Sequence, residues 1–181
     1  AVAGPPARAP PPPVRGAALM AQPAPPATLP ADAEASTIMR HLQAEVAQAV
    51  ARQTLHQLAS VPDGPGAAWM FELPFVTPQG TALGQFEVQR DGRENSGEFV
   101  PGWRLRFSVD VEPLGPVHVH LGLAGDRAAV TLWAERTQGL EALRREASAL
   151  AHALPADVAV HGGAPHPPAP PPPGRFLDRT S

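Results

Sequence analysis

The chain of 181 residues contains no cysteine and no lysine. Without cysteine, disulfide frameworks, thiolate metal sites and cysteine nucleophiles are excluded. All 14 basic residues are arginine, the net charge is −3, and no basic stripe runs along the chain, which disfavours a nucleic-acid surface. No run of about 18 apolar residues occurs, so we expect no membrane insertion.

Signatures of catalysis are also missing. The sequence has no nucleophile elbow around a serine, no phosphate loop and no dinucleotide fingerprint. We therefore expect neither an enzyme nor a bound cofactor. The function has to be sought in binding to another macromolecule.

Proline is abundant, and its distribution divides the chain. Most of the 25 prolines fall in residues 1–30 and 164–181, which hold few large apolar side chains. Such stretches cannot bury enough apolar surface to offset the entropy of ordering, so residues 1–34 and 164–181 are predicted to be disordered or polyproline II. All aromatic residues except Phe176 lie between Trp69 and Trp133, which places the core there.

A helical pattern begins at Ala35. Apolar residues then recur every three to five positions, and Ser36 or Thr37 is predicted to cap the N-terminus. One amphipathic helix is therefore expected over residues 35–61, ended by a segment rich in proline and glycine. Its apolar positions are Ile38, Leu42, Val46, Val50, Leu55 and Leu58.

Residues 67–163 are predicted to form a compact domain. Apolar and polar residues alternate in several segments, as in half-buried strands, and short turns connect the last three, which favours antiparallel pairing. The polar, glycine-containing segment 91–102 is predicted to be a loop. The predicted strands are Trp69–Leu73, Leu83–Val88, Trp103–Val111, Val117–Leu123 and Ala128–Ala134.

A second helix follows, with Thr137 as its predicted cap. Leu140, Leu143, Ala147, Leu150 and Leu154 form one apolar stripe that Pro155 ends. A short strand over Val158–Val160 closes the domain. The order of helix, five strands, helix and strand predicts an α+β fold in which the C-terminal helix packs on a mostly antiparallel sheet.

Histidines provide the main alternative to a binding function. His118 and His120 are two residues apart on a strand, so they share one face and could begin a metal site with His161 as a third ligand. The competing interpretation is a solvated face on which histidine is a polar filler. On the strand Trp103–Val111, Asp110 and Glu112 share one face and could suggest paired carboxylates. Because Arg104, Arg106 and Ser108 lie on that face as well, a charge-mixed solvent face explains them without catalysis.

The element order and local sequences from Val109 to Leu154 resemble the C-terminal domain of bacterial flagellar hook-length control proteins. The resemblance rests on a strand and turn at Val109–Gly115, a Val-x-Val-x-Leu strand at Val117–Leu121, the strand Ala128–Ala134 and the leucine-striped helix Leu140–Leu154. Residues 69–75 and 174–179 resemble an alphaproteobacterial-type branch. One departure is that the family's turn proline corresponds to Val111, whereas Pro113 follows here.

The resemblance implies a function in type III export. The domain would bind the cytoplasmic domain of the export gate's switch component and change export from rod and hook subunits to filament-type subunits. An extended N-terminal portion, secreted through the channel, would gauge hook length and meet hook and hook-cap proteins. The protein-binding positions that the resemblance assigns are Leu114, Gly115, Val117, Val119 and Leu150, of which the last three are equally well explained as core residues.

If the resemblance holds, the chain is expected to be a monomer that works in the cytoplasm at the export apparatus. Two rival hypotheses to this first one remain open. Alternatively, the proline tracts bind groove-type domains and the α+β core is only a spacer between them. The third hypothesis is a metal-dependent enzyme that uses His118 and His120.

Overall fold

The computed structural model describes residues 18–22, 32–61, 68–95 and 98–166. Most of the two proline tracts predicted to be disordered therefore lie outside the described residues. The elements follow the predicted order of helix, five strands, helix and strand. They are α1 (Ala35–Ala59), β1 (Ala68–Thr77), β2 (Gly80–Asn95), β3 (Glu98–Val111), β4 (Gly115–Ala124), β5 (Arg127–Ala134), α2 (Thr137–Ala153) and β6 (Ala156–Gly162).

One six-stranded sheet organises the domain. The strands lie in sequence order, every neighbouring pair from β1 to β5 is antiparallel, and β6 pairs with β5 in parallel through the α2 crossover. This arrangement confirms the predicted α+β class. β1 is an edge strand, and Pro74 within it has no N–H to offer to a further strand.

The predicted loop over 91–102 was wrong. β2 and β3 pair with each other through this segment, from Asp91↔Gly102 to Asn95↔Glu98. Strand pairing satisfies backbone groups whatever the side chains are, so a hairpin arm can continue beyond the point where apolar alternation ends.

The predicted helix caps were also wrong. Glu34 precedes α1 and Arg136 precedes α2, and neither makes a side-chain capping bond. Thr137 is the first residue of α2 instead of its cap, and Ser36 and Thr37 lie inside α1.

The core lies between the sheet and α2. Val117, Val119, Val130 and Leu132 are buried, because residues two apart on β4 and β5 point to the same face. The α2 stripe contributes Leu143 and Leu150 to this cluster, as the leucine spacing predicts. α2 packs chiefly on β6 and β5 and touches β4, so β1, β2 and β3 lie beyond its reach.

α1 contributes little to this core. Its residue His56 is the one that is buried, whereas the apolar positions from Ile38 to Leu58 are all exposed. The helix contacts β1, on the face of the sheet opposite α2. The predicted helix therefore exists, but its apolar stripe is not the surface that packs.

Part of the segment predicted to be linker also packs on the sheet. Leu19 and Gln22 are buried, and Gln22 forms an isolated bridge with Leu83. The linker prediction over 1–34 therefore fails for residues 18–22.

The core account makes a stability prediction for two leucines. Leu132 is 6% exposed and Leu58 is 64% exposed. Leu132→Ala should lower the free energy of unfolding by about 2–5 kcal/mol because it leaves a cavity under α2. The matched change Leu58→Ala should stay within about 0.5 kcal/mol. Urea unfolding followed by circular dichroism measures both, and equal losses would contradict this placement of the core.

Candidate functional site

The face of the sheet opposite α2 carries polar residues, and several of them are buried. Gln85, Glu87, Ser108 and His118 are 1–4% exposed. The solvated, charge-mixed face expected from the sequence is therefore wrong for its central part. Three of them, Gln85, Ser108 and His118, lie side by side in one row across the sheet. Glu72 on β1 and Trp133 on β5 extend this row at its two ends.

Glu72 is the centre of the contact between α1 and the sheet. Its carboxylate accepts hydrogen bonds from Arg52, including one of 2.6 Å from Nη2, and from the amide of Gln85 at 3.0 Å. Gln22 donates a further bond of 2.9 Å, and His56 Nε2 lies 3.1 Å away. A buried carboxylate requires such partners, and here four of them supply it.

These bonds determine the charge state of Glu72. Burial alone would raise the pKa of its carboxyl, but the hydrogen bonds from Arg52, Gln85 and His56 outweigh burial and lower the pKa to about 2. Glu72 is therefore ionised wherever the domain is folded near neutral pH. The sequence signal that could have indicated this cluster is the spacing of Arg52 and His56, which are four residues apart and share one face of α1.

A hydrogen-bonded chain of Ser108, His118 and Glu135 crosses the middle of the row. Ser108 Oγ lies 2.7 Å from His118 Nδ1, and His118 Nε2 lies 2.9 Å from Glu135 Oε1. These are the residue types of a nucleophilic triad. However, Ser108 is 2% exposed and its hydroxyl also lies 3.2 Å from the carbonyl oxygen of Leu19, which covers it.

The space beside this chain is small. A cavity of about 50 Å³ is lined by Ala18, Leu19, Arg106, Phe107, Ser108, His120, Pro165 and His166. It has room for a few water molecules but not for a metabolite, since ligand pockets measure roughly 300–1,000 Å³. The Ser108, His118 and Glu135 side chains therefore bond to one another and to the Leu19 backbone on one face of the sheet.

The three histidines considered as metal ligands do not converge. His118 bonds to Ser108 and Glu135, whereas the ring of Trp133 lies between His120 and His161, at centroid distances of 4.6 and 5.8 Å. Within the described residues, no group of three or more histidine, cysteine, aspartate or glutamate side chains is placed to hold a metal ion.

His120 has a shifted titration. Burial lowers the pKa of its imidazole, and repulsion by the charges of Arg106 and Arg104 lowers it further. The ring makes an edge-on contact with Trp133, which a neutral imidazole suits. Trp133 is thus half-buried between two histidine rings.

The predicted protein-binding residues occupy two kinds of position. Val117 and Val119 are buried in the core, and Leu150 packs against them from α2. Leu114 lies in the β3–β4 turn and is half-exposed, and Gly115, the first residue of β4, follows it and is buried. The five positions therefore divide into a core set and a turn set.

The β3–β4 turn is fixed to the start of α2. Arg136 donates two hydrogen bonds to the Glu112 carboxylate, of 2.9 and 3.0 Å, and thereby lowers the pKa of that carboxyl. Gly115 has a φ of +79° and lies under the Arg136 side chain, where a Cβ atom would be only 2.5 Å from it. Gly139 approaches the Leu114 carbonyl so closely that a Cβ there would be 2.6 Å from the oxygen.

Together these features describe a small α+β domain with a close-packed β3–β4 turn at one end and a hydrogen-bonded polar cluster on the sheet face opposite α2. Residues 100–158, which span β3 to the start of β6 and include α2, match the family model described as flagellar hook-length control protein FliK. This part of the chain therefore matches a hook-length control domain, and the match supports a flagellar role. The family is defined by hook-length control and not by an enzymatic reaction.

Other comparisons add no further relative. The chain matches no curated protein and no solved structure. The first three elements, α1, β1 and β2, lie before the matched segment. Neither α1 nor α2 combines the length and the apolar character that a membrane-crossing helix requires.

The Glu72 cluster predicts a pH dependence of stability. Because the folded pKa is below the ordinary value, Glu72 contributes stability that is fully present above about pH 4.5 and is lost as pH falls towards 2. Glu72→Gln should lower stability at pH 6, and its difference from the wild type should shrink between pH 4.5 and pH 2. Urea unfolding across this range measures the difference, and a constant difference would contradict the lowered pKa.

The environment of His120 predicts a titration midpoint below the ordinary value of about 6.5. Imidazole signals followed by NMR in the folded domain should show it. The same chain in concentrated urea is the control, and there the midpoint should return to about 6.5. A folded-state midpoint at or above that of the unfolded chain would contradict the burial of His120.

Proposed function

We propose that this domain ends hook growth by switching the substrate specificity of flagellar type III export. It does so by binding the cytoplasmic domain of the export gate's switch component. The match of residues 100–158 to the hook-length control family carries the proposal. The site of action is the cytoplasmic side of the export apparatus, and the chain is itself exported through the channel.

Several features support a binding function over catalysis. The Ser108 hydroxyl is covered by Leu19, and the adjoining cavity has room for water only. A chain without cysteine also suits export, because no disulfide would have to be reduced before unfolding. We therefore assign no reaction to the domain.

We further propose that the β3–β4 turn carries the contact with the gate. Leu114 is the one large apolar side chain among the five assigned positions that is neither in the core nor packed against it. The Glu112–Arg136 pair and the tight packing of Gly115 and Gly139 hold this turn rigid. A preorganised apolar projection loses little entropy on binding.

The core positions act differently in this proposal. Val117, Val119 and Leu150 hold the sheet against α2. Substitutions there are expected to weaken binding by lowering the folded fraction, because loss of core packing destabilises the whole domain.

Paired variants test this division. Leu114→Ala should weaken binding to the purified cytoplasmic domain of the switch component about tenfold or more, a loss of at least ~1.4 kcal/mol of binding free energy, with little change in thermal stability. Val119→Ala should lower the melting temperature, with binding retained at temperatures where the domain is folded. Titration calorimetry and thermal unfolding measure these effects.

Unchanged binding by Leu114→Ala would move the contact away from the turn. Absence of binding by the wild-type domain would contradict the proposed partner. Leu58→Ala serves as the matched control, because Leu58 lies on the exposed face of α1 and outside the matched segment.

A further inference from the structure

An array of aromatic side chains lies on the same face of the sheet as the core. The rings of Phe71, Phe86 and Phe107 stack across β1, β2 and β3 with centroid distances of 5.2 and 5.1 Å. Trp69 stacks on Trp103 at 5.9 Å. With Phe75, which lies 6.0 Å from Phe86, these six rings form what we call the aromatic face.

The aromatic face lies beside α2 and is not covered by it. α2 packs on β4, β5 and β6, whereas the six rings stand on β1, β2 and β3. Within the described residues, Trp69, Phe75 and Trp103 remain 40–42% exposed, and the neighbouring Leu73 is 44% exposed. Contiguous exposed rings of this kind mark a binding surface more often than single exposed apolar residues do.

The size of the aromatic face argues for a short segment as its occupant. An aromatic side chain offers about 150–250 Å², so three rings at two-fifths exposure leave roughly 200–300 Å² uncovered. Even with Leu73 and the edges of the stacked phenylalanines, this is well below the roughly 800 Å² per partner that a stable dimer buries. A second copy of the chain is therefore a poor match.

The chemistry of the aromatic face favours a proline-rich segment. Polyproline II helices bind to grooves lined by aromatic rings, because proline rings pack flat on them and the extended backbone needs no partner strand. The guanidinium of Arg90 lies 5.9 Å above the Trp103 ring and adds a donor at the rim that backbone carbonyls of such a segment can use.

The chain itself contains a suitable segment just after the described residues. Pro165 and His166 lie on the opposite face, beside Arg106 and His120. The path of the tail runs first along β4, from the paired residues Arg106 and His120 to the end of the strand at Ala124, which is four residues or about 13 Å. Crossing to the other face of the sheet adds about 10 Å. Residues 167–181 would span up to ~46 Å as polyproline II, which is enough to pass the end of β4 and reach Trp103.

The composition of residues 167–181 distinguishes them from the other proline tract. They combine Pro170–Pro173 with Phe176 and Leu177, whereas residues 1–17 carry valine as their only large apolar residue and residues 23–31 carry Leu29 but no aromatic residue. Phe176 and Leu177 lie ten and eleven residues beyond His166, about 31–34 Å along an extended chain, which exceeds the path of about 23 Å to the Trp103 end of the aromatic face.

We propose that the aromatic face is a docking surface for a polyproline II segment and that residues 167–181 of the same chain occupy it. The tail then covers the part of the apolar sheet face that α2 leaves open. This inference does not depend on the flagellar role of the domain. The aromatic face lies on β1, β2 and β3, and β1 and β2 are outside the segment that matches the family.

The absence of native cysteine permits a direct distance test in the full chain. A nitroxide attached through Thr180→Cys should broaden the indole N–H NMR signals of Trp69 and Trp103 more than that of Trp133, which stands on the opposite face. Broadening that is weak and equal for the three indoles would overturn the proposal.

A mixing experiment identifies the source of the occupying tail. Isotope-labelled chain without the nitroxide is combined with unlabelled chain that carries it. Docking within one chain predicts that the Trp69 and Trp103 signals remain sharp in the mixture. Broadening in the mixture equal to that of the singly labelled chain would show that a second copy donates the tail, which overturns docking within one chain.

Tryptophan fluorescence gives an independent test of the proline tract. In a Trp133→Phe background only Trp69 and Trp103 emit, and replacement of Pro170, Pro171, Pro172 and Pro173 by serine should shift their emission to longer wavelength. The matched control replaces Pro10, Pro11, Pro12 and Pro13 and should leave the emission unchanged. A shift with the N-terminal set alone would overturn the choice of tail.

Discussion

One helix is too narrow to cover a sheet of six strands, and the rest of this structure depends on that constraint. Strand side chains alternate with a period of two, so the apolar residues of all six strands gather on one face. Six strands at about 4.8 Å spacing are about twice as wide as a helix of 10–12 Å. α2 therefore buries Val119 and Leu132 but leaves Trp69 and Trp103 open.

The opposite face is held by a different kind of interaction. There the sheet contributes polar side chains, and Glu72 gathers Arg52, His56, Gln22 and Gln85 around one carboxylate. This joins α1 and residues 18–22 to the sheet, together with the buried apolar side chains of Leu19, Ala68 and Met70. Such an arrangement specifies one geometry because every partner must be in place, whereas its net contribution to stability is smaller than the number of bonds suggests.

Local patterns were sufficient to predict the elements but not their neighbours. The alternation in Trp103–Val111 and the leucine spacing of α2 predicted a strand, a helix and the α+β class, all of which the structure confirms. The burial of Ser108 and His118 was missed because the segment that covers Ser108, Leu19, is 89 residues away along the chain. The exposure of the α1 stripe was missed for the same reason, since amphipathicity indicates a helix without saying which face packs.

The hook-length assignment rests on the matched segment, and it agrees with a close-packed β3–β4 turn and a cavity beside Ser108 that is too small for a substrate. The most direct test of it is electron microscopy of hooks from a strain whose own gene lacks residues 100–158, with hook lengths and filament attachment scored in the same images. The account predicts overlong hooks that carry no filaments, restored to the parental length distribution by the full chain. Hooks of parental length that carry filaments would contradict it.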